Sequence, residues 1–291
     1  MSNKKKILFV VNPISGVKKK ISVETLLDQH LDSNKFDHKI HYTTCRGDAI
    51  EQSKKAVAGG IDAVVAVGGD GTINEVAQGL IHTNVPLGII PRGSGNGFAN
   101  YFRIPHDPVG AIEVINKSNT QTIDTGLMND KLFLSVAGLG FDARVATAFD
   151  SFSQRGLLSY MYISALEYFK FKAKKYSIDI NGSTIKSDAF LLTAANSSQF
   201  GNNAYISPEA KIDDGLLDLV ILKPANPISA LGVSLRLFKG TLHKSKYCEI
   251  HRTKELTISH IDTEAQIDGE PILVSEKTSI SIQPSSLLVY S

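Results

Sequence analysis

The chain of 291 residues has no tryptophan, two cysteines and three methionines, and it contains no long apolar run. Cys45 and Cys248 lie far apart and build neither a disulfide framework nor a zinc site, so a reducing, cytoplasmic setting is expected. No stretch approaches the roughly 18 apolar residues of a membrane-spanning helix. The start Met1-Ser2-Asn3-Lys4-Lys5-Lys6 is basic, but the apolar stretch behind it ends at Pro13, too short for a signal peptide with its cleavage site. A chain that does not cross a membrane is the expectation. Net charge is +2, which neither demands nor excludes nucleic acid or a membrane surface. Also missing are the P-loop Gly-x-x-x-x-Gly-Lys-Ser/Thr, the protein-kinase motifs, and any ligand spacing such as His-Glu-x-x-His among the eight histidines. Internal repeats, low-complexity tracts and long linkers are absent too. With 42% apolar and 21% charged residues, what remains is a soluble globular protein of one large or two ordinary domains.

What is present begins with Gly68-Gly69-Asp70-Gly71-Thr72. It follows the apolar, β-branched run Ala63-Val64-Val65-Ala66-Val67, which reads as a buried parallel strand. Behind it Ile73, Val76, Ala77 and Leu80 repeat with helical spacing. The glycines thus sit at a strand-to-helix turn, where open α/β sheets bind ligands and where bare backbone N–H groups suit phosphate oxygens. Alone, this turn is equally a tight βα connection. A second glycine loop, Pro91-Arg92-Gly93-Ser94-Gly95-Asn96-Gly97, follows the short strand 86–90, and a third turn, Asn12-Pro13-Ile14-Ser15-Gly16, follows the strand 7–11. Three such turns at one sheet edge make a polar crevice carrying Asn12, Asp70, Thr72, Ser94 and Asn96.

Strands are expected at 6–11, 37–43, 62–67, 86–90 and 122–125, with helices near 20–32, 47–58, 72–82, 95–102 and 108–117. This alternation means a parallel sheet covered on both faces. Beyond about 125 short alternating segments take over, at 131–137, 176–181, 184–195, 216–222, 249–251, 255–261, 264–268 and 279–289, with helices at 155–171 and 227–240. That part reads as an antiparallel sandwich or barrel-like domain.

Asn-Pro near the start, Gly-Gly-Asp-Gly-Thr and Pro-x-Gly-Ser-Gly-Asn make the chain resemble the diacylglycerol kinase and sphingosine kinase superfamily, in particular its soluble bacterial lipid kinases. The resemblance continues through Ile123-Asp124-Thr125-Gly126, Gly138-Leu139-Gly140-Phe141-Asp142-Ala143, Lys211 to Asp218 and Ile267-Asp268-Gly269-Glu270. It implies an α/β nucleotide-binding domain with a parallel sheet over 1–124, a carboxyl-terminal antiparallel β-sandwich over 125–291, and an active site in the cleft between them. It also implies ATP as co-substrate, held by Asn12, Pro13, Thr44 (or Thr43), Gly68, Gly69, Gly71, Thr72, Asn74, Gly93, Ser94 and Asn96. One of Asp268 and Glu270 would take the proton of a lipid hydroxyl, the other orienting it or helping to hold a metal. Read without the resemblance, Asp268-Gly269 is a common hairpin pair. A Mg2+ ion would be held by the carbonyls of Lys211 and Leu216 and the carboxylate of Asp214, linked through waters and Asp124 toward Asp70. A second Mg2+ travels with ATP. Asp70 is then an anchor for water, metal and phosphate rather than the base.

The acceptor stays open at this level. The second loop reads Ser94-Gly95-Asn96-Gly97, closer to sphingoid-base kinases than to the Gly-Thr-x-Asn-Asp of diacylglycerol-specific enzymes, and Asp142 is a candidate partner for a sphingoid amine. The aromatic and basic segment from Phe149 through Arg155 to Tyr176 suits either an interfacial helix or a helix packed on the second domain with a solvated basic end. A lipid kinase acting at a membrane surface, cytoplasmic and peripherally attached, is the leading expectation; a homodimer is allowed and no nucleic-acid partner is expected. The competing readings are a sphingoid-base kinase, an NAD kinase, and a nucleotide-binding regulator without catalysis.

Overall fold

The structure is a computed structural model that describes residues 4–15, 22–93, 95–152 and 156–291. Its contacts divide the chain into two units, one running to Ile123 and including Ser285–Ser291, the other spanning Asp124–Pro284.

In the first unit, buried β-branched runs alternate with amphipathic segments. The elements are β1 (Lys5–Val11), α1 (Val23–His30), β2 (Phe36–Tyr42), α2 (Asp48–Ala58), β3 (Ala63–Gly68), α3 (Asp70–Leu80), β4 (Leu87–Pro91), α4 (Gly97–Tyr101) and α5 (Pro108–Lys117). Helix starts follow the local chemistry. Ser22 accepts the N–H of Thr25 ahead of α1, and Asp107 accepts that of Gly110 ahead of α5, whose first residue is Pro108. β1 pairs in parallel with both β2 and β3, and β3 with β4, giving the order β2-β1-β3-β4. Every residue of β3 and β4 is buried. Right-handed crossovers send α1 to one face and α2 and α3 to the other, and the helix pairs in contact, α1 with α5 and α2 with α3, follow that division. The chain reverses direction across the sheet between β1 and β3, so the crevice beyond their carboxyl ends is the topological switch point.

The second unit contains most of β5 (Thr120–Met128), then β6 (Lys131–Phe133), β7 (Val136–Gly140), α6 (Phe141–Asp150), α7 (Leu157–Tyr168), β8 (Lys174–Ile180), β9 (Ser183–Ala189), β10 (Leu191–Ala195) and β11 (Leu217–Leu222). It continues with α8 (Pro227–Phe238), a 3-10 turn at Leu242–Lys244, β12 (Cys248–Thr253), β13 (Glu255–Ser259), β14 (Glu264–Ile267), β15 (Glu270–Leu273) and the first part of β16 (Lys277–Tyr290). One layer is the antiparallel sheet β12-β11-β10-β7-β14-β15; the other contains β16-β13-β8-β9, with β5 paired to β16 and β6. Alternate residues of both layers, such as Leu217, Leu219 and Ile221 facing Tyr176, Ile178 and Ile180, fill one buried core, as in a β-sandwich. On the other side of the six-stranded sheet a smaller cluster of Val136, Leu191, Ile206, Val220 and Leu242 packs against Val233 and Leu237 of α8.

Four expectations change. The segment at 122–125 does not extend the parallel set: β5 pairs antiparallel with β6 and also with β16. The strand foreseen at 131–137 is two, because the N–H groups of Leu134, Ser135 and Val136 turn to a carboxylate instead of a neighbouring strand. The strand foreseen at 184–195 breaks at Phe190, where the chain passes from one layer to the other; its N–H donates to Leu222 and its carbonyl accepts from Phe141. Helix α6 was not foreseen, since it starts at Gly140 with φ 91° and no side-chain cap.

The carboxyl end, expected with the sandwich, belongs to the first unit because Val289 pairs in parallel with Leu87 of β4 and the Ser291 N–H donates to Asn119. Leu287, Val289 and Tyr290 are buried there. Truncation after Pro284 is expected to cost the first unit on the order of 5 kcal/mol, at about 1.5–3 kcal/mol for each large side chain lost. Denaturant unfolding followed by circular dichroism checks this; an unchanged midpoint contradicts it.

Candidate active site

The crevice at the β1/β3 switch point is assembled by backbone bonds. The Asn12 N–H donates to the Val67 carbonyl at 3.0 Å, drawing the turn after β1 onto the end of β3. Its side chain then donates to Thr72 Oγ1 at 3.2 Å and accepts the Ile14 N–H at 3.0 Å. The Arg92 N–H donates to the Gly68 carbonyl at 2.7 Å, so the second glycine loop lies along the first. Gly69 and Gly93 stand back to back: a Cβ on Gly93 would come within 2.8 Å of the Gly69 Cα. Only glycine allows that approach. Gly93 and Asn96 close the second loop on themselves, with Gly93 N–H to Asn96 Oδ1 at 2.8 Å and Asn96 Nδ2 to the Gly93 carbonyl at 2.9 Å. Asp70 opens α3, and its Oδ1 accepts the Phe98 N–H at 3.4 Å. Gly71 and Thr72 lie in the first turn of that helix, whose orphan N–H groups and dipole favour an anion.

Other expected nucleotide ligands stand differently. Ser94 lies outside the described residues. Pro13 is exposed in the turn after β1. Thr44 donates through both N–H and Oγ1 to Asp48 Oδ2, which also bonds His41; the His41 bond and then the Thr44 N–H push the Asp48 carboxyl down to about 2. Asn74 Oδ1 accepts from Gln78 one turn along α3.

Asp268 and Gly269 have φ of 49° and 85°, the two left-handed positions of a type I′ turn joining β14 to β15. The Asp268 carboxylate accepts three main-chain N–H groups, from Leu134 and Ser135 at 2.8 Å and from Val136 at 3.0 Å. Its lone pairs are committed to holding that chain. Glu270, the first residue of β15, is exposed. Behind the turn, Gln266 accepts the Gly269 N–H at 2.8 Å and donates to Asp142 Oδ2 at 3.2 Å. Asp142 also accepts from Thr193 Oγ1 and from the Ala143 N–H, both at 2.8 Å. With 5% of its surface exposed it is closed to a lipid amine, and the sphingoid-partner role expected for it is set aside.

At the acidic loop Asp124 reaches the chain directly, accepting the Gly215 N–H at 2.6 Å and donating its own N–H to Ile212 at 2.7 Å. Asp214 accepts the Leu216 N–H at 3.1 Å and is ion-paired with Arg252, which also bonds Asp218. The donor set expected for Mg2+, one carboxylate with the Lys211 and Leu216 carbonyls, is all oxygen and of the right hardness. As placed, Asp214 Oδ1 accepts the Leu216 N–H and Oδ2 faces Arg252, so a cation there would compete with the guanidinium for this carboxylate. Among the described residues no group of three or more His, Cys, Asp or Glu side chains is arranged to hold a metal.

Residues 6–128 match the diacylglycerol kinase catalytic domain, and residues 135–291 match the YegS C-terminal NAD kinase beta sandwich-like domain. A diacylglycerol kinase of Staphylococcus aureus is 30% identical over 92% of this chain and 86% of its own length. The chain belongs to the diacylglycerol kinase-like family of bacterial lipid kinases. An uncharacterised Synechocystis protein is also 30% identical over 81% of this chain, which spans 58% of that protein's length. In fold, the chain is similar to a diacylglycerol kinase from Bacillus anthracis, with a TM-score of 0.75 and 20% identity over 100% of this chain and 98% of the other.

Within this family framework two side chains stand out that sequence reasoning passed over. Arg92, whose main-chain N–H ties the second loop to Gly68, has side-chain Nε and Nη2 buried and without a hydrogen-bond partner among the described residues, a donor pair suited to an anion. Its only sequence signal is a cation inside a glycine loop. Gln266 reads as an ordinary strand residue, yet it ties the Asp268–Glu270 turn to Asp142.

Burial pushes the Asp142 carboxyl from 3.8 up to about 7, against the pull of its three donors. The folded chain therefore holds this proton more tightly than the unfolded chain. The resulting stabilisation is complete below about pH 4 and is lost as pH climbs to about 7. Asp142→Asn is expected to remove that part of the stability–pH slope. Urea midpoints of both proteins measured across pH 4–8 check it, and parallel curves contradict it.

Proposed function

We propose that this chain is an ATP-dependent kinase acting on a lipid hydroxyl, with diacylglycerol as the first acceptor to consider. The observation that carries the reading is the paired glycine loops at the switch point, closed by Asn12–Thr72, with Arg92 in the second loop holding two buried nitrogens that have no partner among the described residues. The nucleotide's phosphates rest on the N–H groups of the Gly68–Thr72 turn and the start of α3, with Gly93 and Asn96 beside them; Pro13, Thr44, Asn74 and Ser94 are the further nucleotide ligands of this reading. Asp70 would hold a Mg2+ ion carried by ATP, and that ion would supply neutralisation of charge on the phosphates. The acceptor oxygen attacks the γ-phosphorus, the bond to the ADP oxygen breaks, and the hydroxyl proton passes to a carboxylate.

Glu270 is that carboxylate in our reading. Asp268 already receives three N–H donors and serves to fix the turn; the exposed Glu270 beside it is offered to the acceptor. The nucleotide-binding domain is residues 1–124 in this reading and the acceptor-side domain 125–291, with the last residues of the chain returning to the first. A cytoplasmic enzyme attached peripherally to a membrane fits a substrate that lives there. The Ser94-Gly95-Asn96-Gly97 form of the second loop favours keeping a sphingoid base as the second acceptor.

Two measurements test this. Purified chain with labelled ATP, Mg2+ and a panel of diacylglycerol, sphingoid bases and NAD is expected to transfer phosphate to a lipid; transfer to NAD alone, or to no acceptor despite ATP binding, contradicts the reading. Glu270→Gln is expected to lower turnover at least tenfold, about 1.4 kcal/mol in the barrier, with ATP affinity and thermal midpoint unchanged. Asp268→Asn is expected to lower stability as well, by about 1–3 kcal/mol, because N–H donors at 134–136 lose their acceptor. If Glu270→Gln retains full turnover, the base assignment is wrong.

A further inference from the structure

Helix α8 has no buried residue, although nearly all of it is apolar. Val233 and Leu237, one turn apart, touch the small cluster on the six-stranded sheet and account for its attachment. Ile228, Leu231, Leu235 and Phe238 recur at i, i+3, i+7 and i+10 and form a separate stripe on the opposite side. Ile228 is 87% exposed, Leu231 66% and Leu235 54%. A soluble helix usually turns such a stripe inward. The chemistry around it is one-signed. Between Pro224 and Cys248 the sequence contains Arg236, Lys239, Lys244 and Lys246 and no carboxylate, in a chain whose overall net charge is +2. Lys223, just ahead, is paired with Glu249, and His243 approaches Glu209 at 3.8 Å.

The aromatic and basic segment around α7 is less suited to the same task. Leu158, Met161, Tyr162 and Phe169 are exposed on it and so are Lys172 and Lys175, but the segment also contains the acids Asp150 and Glu167, and other cations around it serve internal pairs. Arg144 and Lys170 both bind Glu167, and Lys174 binds Asp262. The end of α7 is tied to the approach to α8, with Tyr168 Oη donating to the Ala225 carbonyl at 2.8 Å.

We infer that α8 is an interfacial helix that docks this chain on an anionic lipid bilayer, its Ile228–Phe238 stripe entering the acyl boundary and Arg236, Lys239, Lys244 and Lys246 meeting the headgroups. An apolar stripe bordered by cations and free of acids is what such a surface binds. A second copy of the chain is a poorer occupant, because a two-fold contact sets one acid-free basic segment against another. The inference deepens the lipid kinase reading and rests on it for its purpose, while the docking itself is measured without turnover.

The test uses the full chain with sedimented vesicles of phosphatidylcholine, with and without phosphatidylglycerol, in the absence of ATP. Wild type is expected to bind the anionic vesicles, and both Leu231→Gln/Leu235→Gln and Arg236→Glu/Lys239→Glu to bind at least tenfold more weakly. These side chains are exposed, so folding is expected to be unaffected. Turnover of long-chain diacylglycerol in vesicles is expected to fall with binding, while turnover of short-chain diacylglycerol dispersed in detergent stays unchanged. Unaltered vesicle binding by both variants overturns the inference, as does conversion of a dimer to a monomer by the leucine variant with binding intact. If wild type phosphorylates no lipid in either form but binds vesicles through α8, the kinase reading falls and the docking stands.

Discussion

The carboxylate of Asp268 and the three N–H groups it gathers from residues 134–136 hold the second unit's polar interior together. Leu134 and Ser135 leave the strand ladder and Val136 re-enters it as the first residue of β7, and an uncompensated turn there strands main-chain donors away from water. Asp268 supplies the acceptors, and the same stretch continues the network. The N–H groups of Asn196 and Ser197 donate to the Ser135 carbonyl, and the Asn196 side chain joins the carbonyls of Leu134 and Asp124. Asp124 in turn grips Gly215 and Ile212, next to the pairing of Asp214 and Asp218 with Arg252. Two acidic motifs far apart in the chain are thus ends of one hydrogen-bonded path. An acid beside a glycine in such a motif has a structural duty before any chemical one, which is why Asp268 and Glu270 divide so cleanly into a pin and an exposed neighbour.

In the first unit the governing constraint is steric. Gly69 and Gly93 touch without side chains, and this contact brings the turns after β3 and β4 together beside the Asn12 turn. The price is a crevice whose walls are main chain, with few side chains to hold a ligand's charge. Arg92 offsets that scarcity, its Nε and Nη2 lying buried with no acceptor among the described residues.

Much of the fold is legible residue by residue. Ala63–Gly68 and Leu87–Pro91 announce themselves as buried parallel strands by their unbroken apolar runs, and Asp107-Pro108 marks a helix start through a cap and a ring that fixes φ. Helix α6 escaped because Gly140 begins it with a backbone angle that composition does not encode, and because its early acid, Asp142, points into the interior. The break at Phe190 escaped because a strand that changes layers keeps its apolar pattern throughout. The glycine motifs and the Asp268–Glu270 turn were legible as a set through their order along the chain. Their long-range partners were not: Asp268 takes N–H groups from residues 134–136 and Asp214 takes Arg252, choices made by neighbours in space.

By itself, then, the amino-acid sequence determined the two kinds of domain, the glycine turns at strand ends and the family to which the chain belongs, because periodicity and turn chemistry are local properties. The tertiary structure decided which surroundings each polar group meets. It assigned the carboxylates of Asp268 and Asp142 to interior donors, gave Asp214 a guanidinium, left Glu270 exposed, and left the Ile228–Phe238 stripe uncovered. Those outcomes depend on what lies opposite each group after folding, and hydrogen-bond satisfaction and burial are properties of that arrangement rather than of any segment.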